Sequence, residues 1–220
     1  MAESIKRIDG GLFIALEGGE GAGKSSVGAR VASQLEADGY EVVFTREPGG
    51  TRLGEALRAI LLDAGPAGGK LSGSEILLLF SAARHAHVRT VIKPALKRGA
   101  IVISDRYVLS TRVYQGVDGV PEADISAVSA IATEGLEPHR TYWFDLPPEV
   151  GLSRVAQQSR TERSAYDDAK LSYHEELRAG FARQAEQNSS ILRIDATKPM
   201  PEVESSVIAD IRLQLNLRAQ

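Results

Sequence analysis

An α/β domain of three layers, a five-stranded parallel sheet flanked by helices, is predicted by three features of the 220-residue sequence. Short apolar runs alternate with helix-periodic stretches, and such alternation builds parallel strands joined by right-handed crossovers. Runs such as Ile101-Val102-Ile103 are apolar at every position, as strands covered on both faces must be. The first apolar run leads at once into a Gly-rich turn and a helical pattern, a strand–loop–helix unit.

Met1 to Gly10 mixes Glu, Lys, Arg and Asp and lacks an apolar signal core, so it reads as a short exposed tail before a single domain over 11–220. Leu12–Leu16 is the first strand. Residues 24–37 are helical, with Val27, Val31 and Leu35 spaced by four. Glu41–Thr45 is the second strand, followed by a helix at about 53–62. Gly65 to Gly73 is rich in Gly and Pro and reads as a surface loop. A long periodic stretch, about 73–97, precedes the third strand, Ala100–Ser104. Helices at about 107–114 and 122–134 lead to the fourth strand, Thr141–Asp145. Pro147-Pro148 opens a helix at about 148–157, because Pro suits a first helical turn. Polar residues from Gln157 to Asp168 form a candidate mobile segment carrying Arg160 and Arg163. A helix at about 168–187, the strand Ile191–Ile194 and a helix at about 201–217 complete the chain.

Formal net charge is −3, so no basic field argues for a nucleic-acid or membrane partner. The absence of cysteine excludes disulfides and thiolate sites and fits a reducing compartment. No segment has the length of a transmembrane helix. The simplest location is the cytoplasm. His85 and His87 are two apart on a helix and share no face, and with His139 and His174 they make no metal set.

Residues 18–25 read Gly-Gly-Glu-Gly-Ala-Gly-Lys-Ser, a phosphate-binding loop of the G-x-x-x-x-G-K-[ST] type. Backbone N–H groups of such a turn form an anion nest, and the following helix adds its positive end. Lys24 reaches β- and γ-phosphates, and the Ser25 hydroxyl can ligate Mg²⁺. This names a nucleotide hydrolase or transferase. The Asn-Lys-x-Asp that GTPases use to read guanine is missing.

Asp105 closes the third strand, where ligands bind in open α/β sheets. It can hold Mg²⁺ through water, and Arg106 can clamp a phosphate bidentately. The bland alternative is an Asp-Arg pair capping a helix. Thr45-Arg46-Glu47-Pro48-Gly49-Gly50-Thr51 sets a rigid loop beside a charged pair, or a plain surface turn.

Five motifs occur in order: 17–25, Phe-Thr-Arg-Glu-Pro-Gly-Gly-Thr (44–51), Phe-Ser-Ala-Ala-Arg (80–84), Asp-Arg-Tyr (105–107) and Ser-Thr-Arg-Val-Tyr-Gln-Gly (110–116). Together they resemble thymidylate kinase of the bacterial type, a P-loop nucleoside monophosphate kinase, from Leu12 to the final helix. The resemblance implies ATP + dTMP → ADP + dTDP with Mg²⁺ in dTTP synthesis, and a homodimer formed through helices, for which the apolar 76–96 stretch is a candidate. It implies ATP contacts from Gly18, Gly19, Glu20, Gly21, Ala22, Gly23, Lys24, Ser25 and Ser26, with Arg154 beyond the loop, and metal contacts from Ser25 and Asp105. On the dTMP side it places Glu20 near the sugar 3′-hydroxyl and phosphate, Phe80 stacked on thymine and Arg84 on a base carbonyl. Arg106 would hold the acceptor phosphate. Ser110 would contact dTMP, Thr111 and Gln115 would line the base edge, Tyr114 would pack beside sugar C2′, and Arg46 and Pro48 would close over dTMP. By spacing alone Phe80 reads as core, Tyr114 as packing and Arg84 as a snorkelling residue.

Some relatives carry an arginine in the phosphate loop, where this chain has Gly21. The resemblance then assigns the catalytic cation to a lid at about 157–168, with Arg160 and Arg163, joined by Arg154, as candidates beside the catalytic set Lys24, Glu20 and Arg106. Relatives often have Asp-Arg-x-Glu in the lid; here Glu162-Arg163-Ser164-Ala165 lacks the final acid, with Asp167 or Asp168 in reach of that role. Two alternatives stay open: a kinase for another acceptor, and a nucleotide-binding protein without turnover.

Overall fold

A computed structural model describes residues 5–63, 71–157, 166–167 and 169–218. The elements, in order, are β1 (Leu12–Glu17), α1 (Lys24–Ala37), β2 (Val42–Arg46), α2 (Arg52–Asp63), α3 (Gly73–His87), a π-helical turn (Val88–Ile92) and α4 (Lys93–Lys97). They continue with β3 (Ile101–Asp105), α5 (Val108–Val117), α6 (Glu122–Thr133), β4 (Arg140–Asp145), α7 (Pro148–Ala156), α8 (Leu171–Gln187), β5 (Ile191–Asp195) and α9 (Met200–Arg218). The five strands are all parallel, in the order β2-β3-β1-β4-β5. This is the predicted three-layer α/β architecture, with boundaries moved by up to three residues. The two clearest shifts are α5, which runs on to Val117, and α8, which starts at Leu171.

β1 is buried at every position, and its alternating side chains feed two cores. Leu12, Ile14 and Leu16 pack with Val27, Val31 and Leu35 of α1 and Val207 and Ile211 of α9. Phe13 and Ala15 pack with Val88, Ile92, Ala95 and Tyr107 on the other face. A third cluster joins α5 to α8 through Val113, Tyr114, Leu177 and Phe181 against Trp143.

Register decides where the strands end. Leu16 stands opposite Asp105, and Arg46 opposite Asp105 from the other side. The carboxyl ends of β2, β3 and β1 are therefore level, and the loops after them meet at one crevice.

The stretch expected as one helix over 73–97 is continuous but not uniform. Ser72 caps α3 with a capping box, accepting from Glu75 N while Glu75 Oε2 accepts from Ser72 N at 2.7 Å. At Val88–Ile92 the ladder widens, and Lys93 N donates to Val88 O, five residues back. Pro94 follows immediately and has no N–H to give, so the helix absorbs it with a π-turn.

Of the exposed tail expected over residues 1–10, residues 1–4 lie outside the described residues, and 5–10 are largely exposed and run along the surface. Lys6 N donates to Gly39 O at 2.8 Å and Ile8 N to Gly99 O at 3.0 Å. Residues 65–70 of the expected surface loop lie outside the described residues.

Candidate active site

A cavity of about 680 Å³ opens at the carboxyl ends of β1, β2 and β3. The phosphate loop forms one wall, from Glu20 to Ser26. Gly23 precedes α1 in the left-handed region at φ 85°, with no side chain capping the helix. The first N–H groups of α1 are thus left for a ligand, and the helix end favours an anion. Lys24 Nζ donates to Gly18 O at 3.1 Å and Gly19 O at 2.8 Å, so these two residues hold the lysine and do not themselves line the cavity. Burial, together with the Arg106 charge, pushes the Lys24 amine below the usual lysine value. An anion bound in the loop opposes both effects.

Gly21 is the tightest point of the loop. It sits at φ 66°, and a Cβ there would lie 2.1 Å from Gly151 O of α7. Backbone meets backbone, which excludes any larger residue at this position.

Ser25 Oγ donates to Asp105 Oδ2. A hydroxyl and a carboxylate, both hard oxygen donors beside a phosphate nest, suit Mg²⁺. Among the described residues no cluster of three or more His, Cys, Asp or Glu could hold a metal by itself, so the donor set is completed only with phosphate oxygens and water.

Arg106 follows β3 at φ 72°, left-handed for a side-chain-bearing residue, a conformation that costs about 1–3 kcal/mol. Its guanidinium bonds Gly18 O and Ser110 Oγ from Nη1, each at 3.0 Å, and Glu20 Oε1 from Nη2 at 2.8 Å. Tyr114 Oη donates to the same Glu20 oxygen at 2.7 Å. Burial disfavours ionised Glu20, but the Arg106 and Lys24 charges and the Tyr114 hydroxyl outweigh it and pull the carboxyl down to about 2. The Ser110 hydroxyl is committed to Glu17 Oε2 at 2.5 Å and to Arg106.

α3 and α5 supply another wall of the cavity, with Phe80 and Arg84 from the first and Thr111, Tyr114 and Gln115 from the second. Phe80 is half-buried, open to the cavity on one side. Arg84 does not snorkel: it is 1% exposed. Its Nε donates to Glu47 Oε2 at 2.7 Å and its Nη1 to Thr111 Oγ1 at 3.0 Å. Gln115 Nε2 is buried and, among the described residues, has no hydrogen-bond partner within ordinary geometry. Arg46, which is exposed, and Pro48, which is buried, also line the cavity. Arg46 pairs with Glu55 of α2 at 3.0 Å, and Pro48 O accepts from Arg58 Nη1 at 2.9 Å.

Some expected site residues stand elsewhere. Arg154 is outside the cavity and donates to Gly21 O at 3.3 Å and Ala196 O at 3.2 Å, tying α7 to the phosphate loop and to the turn after β5. Arg160 and Arg163 lie outside the described residues. Of the acids expected in that segment, Asp167 lines the cavity together with Tyr166, and Asp168 is outside the described residues.

Sequence reasoning gave no role to Glu17, Glu47, His87 or Arg58. Glu17 is fully buried and accepts from Tyr107 N at 2.8 Å and Ser110 N at 3.1 Å, holding the start of α5; burial pushes its carboxyl up despite these donors. Glu17 ends β1 and Glu47 follows β2, the same signal that singles out Asp105 at the end of β3.

The thymidylate kinase family model matches residues 16–207. Thymidylate kinase of Synechococcus sp. (strain JA-2-3B'a(2-13)) is 41% identical over 208 residues, covering 94% of this chain and 97% of the relative. That of Geobacillus sp. (strain WCH70) is 38% identical over 210 residues, covering 94% and 99%. The crystal structure of thymidylate kinase from Ehrlichia chaffeensis superposes with a TM-score of 0.72 at 28% identity, covering 91% of this chain and 98% of that one. With the fold, the phosphate loop and the cavity in agreement, the chain belongs to the thymidylate kinase family.

Proposed function

We propose that this chain transfers the γ-phosphoryl of ATP to dTMP, giving ADP and dTDP. The observation that carries the reading is the cavity itself. A phosphate nest and a lysine line one end, and an aromatic residue with Arg84, Thr111 and Gln115 lines the other. A base enters the second end, and its 5′-phosphate is left near Arg106.

Phosphoryl transfer needs positioning and charge neutralisation more than covalent help. The dTMP phosphate is already an anion, so no general base is required. Lys24 and the N–H groups before α1 hold the donor phosphates, and Arg106 holds the acceptor phosphate in line with them. Glu20, kept ionised, fixes the direction of Arg106. Ser25 and Asp105 would hold Mg²⁺, which supplies charge neutralisation at the donor phosphates. Arg160 or Arg163 supplies the cation at the transferring group. Arg58 and Arg46 add positive charge at the acceptor rim.

The homodimer belongs to the same reading. Leu78 on α3, Ile131 on α6 and Leu53 and Ile60 on α2 are exposed apolar residues, and the resemblance puts the pairing surface on helices. Among the described residues no helix is long and apolar enough to cross a membrane, in keeping with a cytoplasmic enzyme. Chromatographic analysis of a reaction with ATP, Mg²⁺ and dTMP tests the activity. Equal amounts of dTDP and ADP are expected; ADP without dTDP would refute it.

A further inference from the structure

Arg84 is held from three sides. Besides its bonds to Glu47 and Thr111, its Cζ lies 5.3 Å from the Tyr107 ring centroid. Nη2 makes no hydrogen bond among the described residues and is the nitrogen left for a ligand.

Glu47 is held in turn. Its Oε1 is 2.9 Å from His87 Nδ1, and His87 Nε2 is 2.7 Å from Thr45 Oγ1. A carboxylate only accepts, so Nδ1 carries the proton facing it. Glu47 is 4% exposed and His87 0%. Gly50 closes over them: a Cβ there would stand 2.7 Å from both His87 Nε2 and Thr45 Oγ1. Thr45, half-buried, and the buried His87, Glu47 and Arg84 thus form one relay from β2 to the base end of the cavity. A buried ion pair is a poor device for stability, because desolvation offsets much of its attraction. Its effect here is on direction: with Nε and Nη1 fixed, the plane of the guanidinium is fixed, and so is the aim of Nη2.

Resting on the dTMP reading above, we propose that Glu47 is a positioning residue that sets the donor direction of Arg84 and so governs discrimination at C4 of the pyrimidine. Thymine presents a carbonyl acceptor there, cytosine an amino donor. An arginine donor aimed at C4 attracts the first and repels the second. Both Glu47 oxygens are committed to protein donors, so Glu47 acts through Arg84 and not by touching the base.

Steady-state kinetics with dTMP and dCMP test this. In Glu47→Gln, KM for dTMP should rise about tenfold, and kcat and KM for ATP should change less than about threefold. The dTMP-over-dCMP preference in kcat/KM should fall by about tenfold or more. In an Arg84→Met background the same substitution should remove no further preference, because the two residues act as one unit. Unchanged preference in Glu47→Gln, or an equal further loss in Arg84→Met, would overturn the proposal. The other end of the relay gives a second route. His87→Asn keeps a donor near the Nδ1 position and should retain the preference, whereas His87→Ala should lose it; equal preference in both would also overturn it. No dTMP turnover by the unsubstituted chain would sink the dTMP reading and this proposal together. Normal selectivity there with unaltered selectivity in the variants would sink this proposal alone.

Discussion

Arg106 Nη2 and Glu20 Oε1 stand 2.8 Å apart, joining the end of β3 to the phosphate loop. The pair ties the two sides of the cavity together, and in the proposed reaction Arg106 would face the acceptor phosphate while Glu20 sits in the donor loop. It also makes stability depend on acid. Glu20 has its carboxyl pulled from 4.5 to about 2, so the ionised form stabilises the fold fully above about pH 4.5. That contribution is lost as pH falls toward 2.

The first expected outcome follows from this sign. Between pH 5 and pH 2.5 the unsubstituted chain should lose roughly 2 kcal/mol more stability than Glu20→Gln. Urea titrations across that range measure the difference. Parallel pH curves for the two would mean that Glu20 is not held ionised by Arg106 and Lys24.

Lys24→Ala should lower kcat by at least about a hundredfold, the scale seen when a preorganised charge donor is removed. The fold should survive, because the amine makes its hydrogen bonds to two loop carbonyls and not to the core. Circular dichroism and turnover on one preparation give both readouts. Near-normal turnover would contradict the phosphate-loop assignment.

Tyr114 packs edge-on against Tyr166 and Phe181, with ring centroids 5.6 and 6.3 Å away. Tyr114→Phe keeps that packing and loses only the bond to Glu20, so exclusion of ribonucleotides should be mostly retained. Tyr114→Ala should relax it and also cost about 3 kcal/mol of stability from the cavity left behind. Comparing kcat/KM for dTMP and ribothymidine monophosphate decides the point. Full exclusion in Tyr114→Ala would remove the role.

Gly21→Ala should cost at least about 1 kcal/mol from the left-handed backbone alone. It should also disturb ATP binding, since the new Cβ meets Gly151 O and pushes α7 away from the loop. A thermal melt with and without ATP reports both effects. Gly21→Arg should give no gain in kcat here, because the loop has no room for the side chain.

The fold was legible because its signals are local and repeated. β1 is apolar throughout and α1 has its apolar residues spaced by four. Ser72 sits three residues before Glu75. The π-turn before Pro94 was the part of the long helix that periodicity missed. Within the site, Lys24, Ser25, Asp105 and Arg106 sit in short motifs whose chemistry depends on adjacency. Glu47 was harder. In sequence it looks like the partner of Arg46, its neighbour. In the structure adjacent residues at the end of a strand point apart, so Arg46 takes Glu55 and Glu47 takes Arg84. Arg84 itself looked like a helix-surface arginine, because nothing local shows that a carboxylate 37 positions away would make its burial tolerable. Every strand of the sheet ends in or just before a carboxylate: Glu17, Glu47, Asp105, Asp145 and Asp195. In the sequence only Asp105, beside Arg106, stands out on that ground. Glu17 and Glu47 share its end of the sheet, and Asp145 pairs with Arg178 and Arg193 as a tie between β4, β5 and α8.

The most direct test of the central claim is ADP release from ATP·Mg²⁺ with dTMP, dUMP, dCMP, dGMP and AMP offered separately, beside a control without acceptor. Turnover should strongly favour dTMP, with purine nucleotides near the control. Preference for another acceptor would contradict the base-reading roles of Phe80, Arg84, Thr111 and Gln115, and ATP binding without turnover on any acceptor would contradict the kinase reading itself.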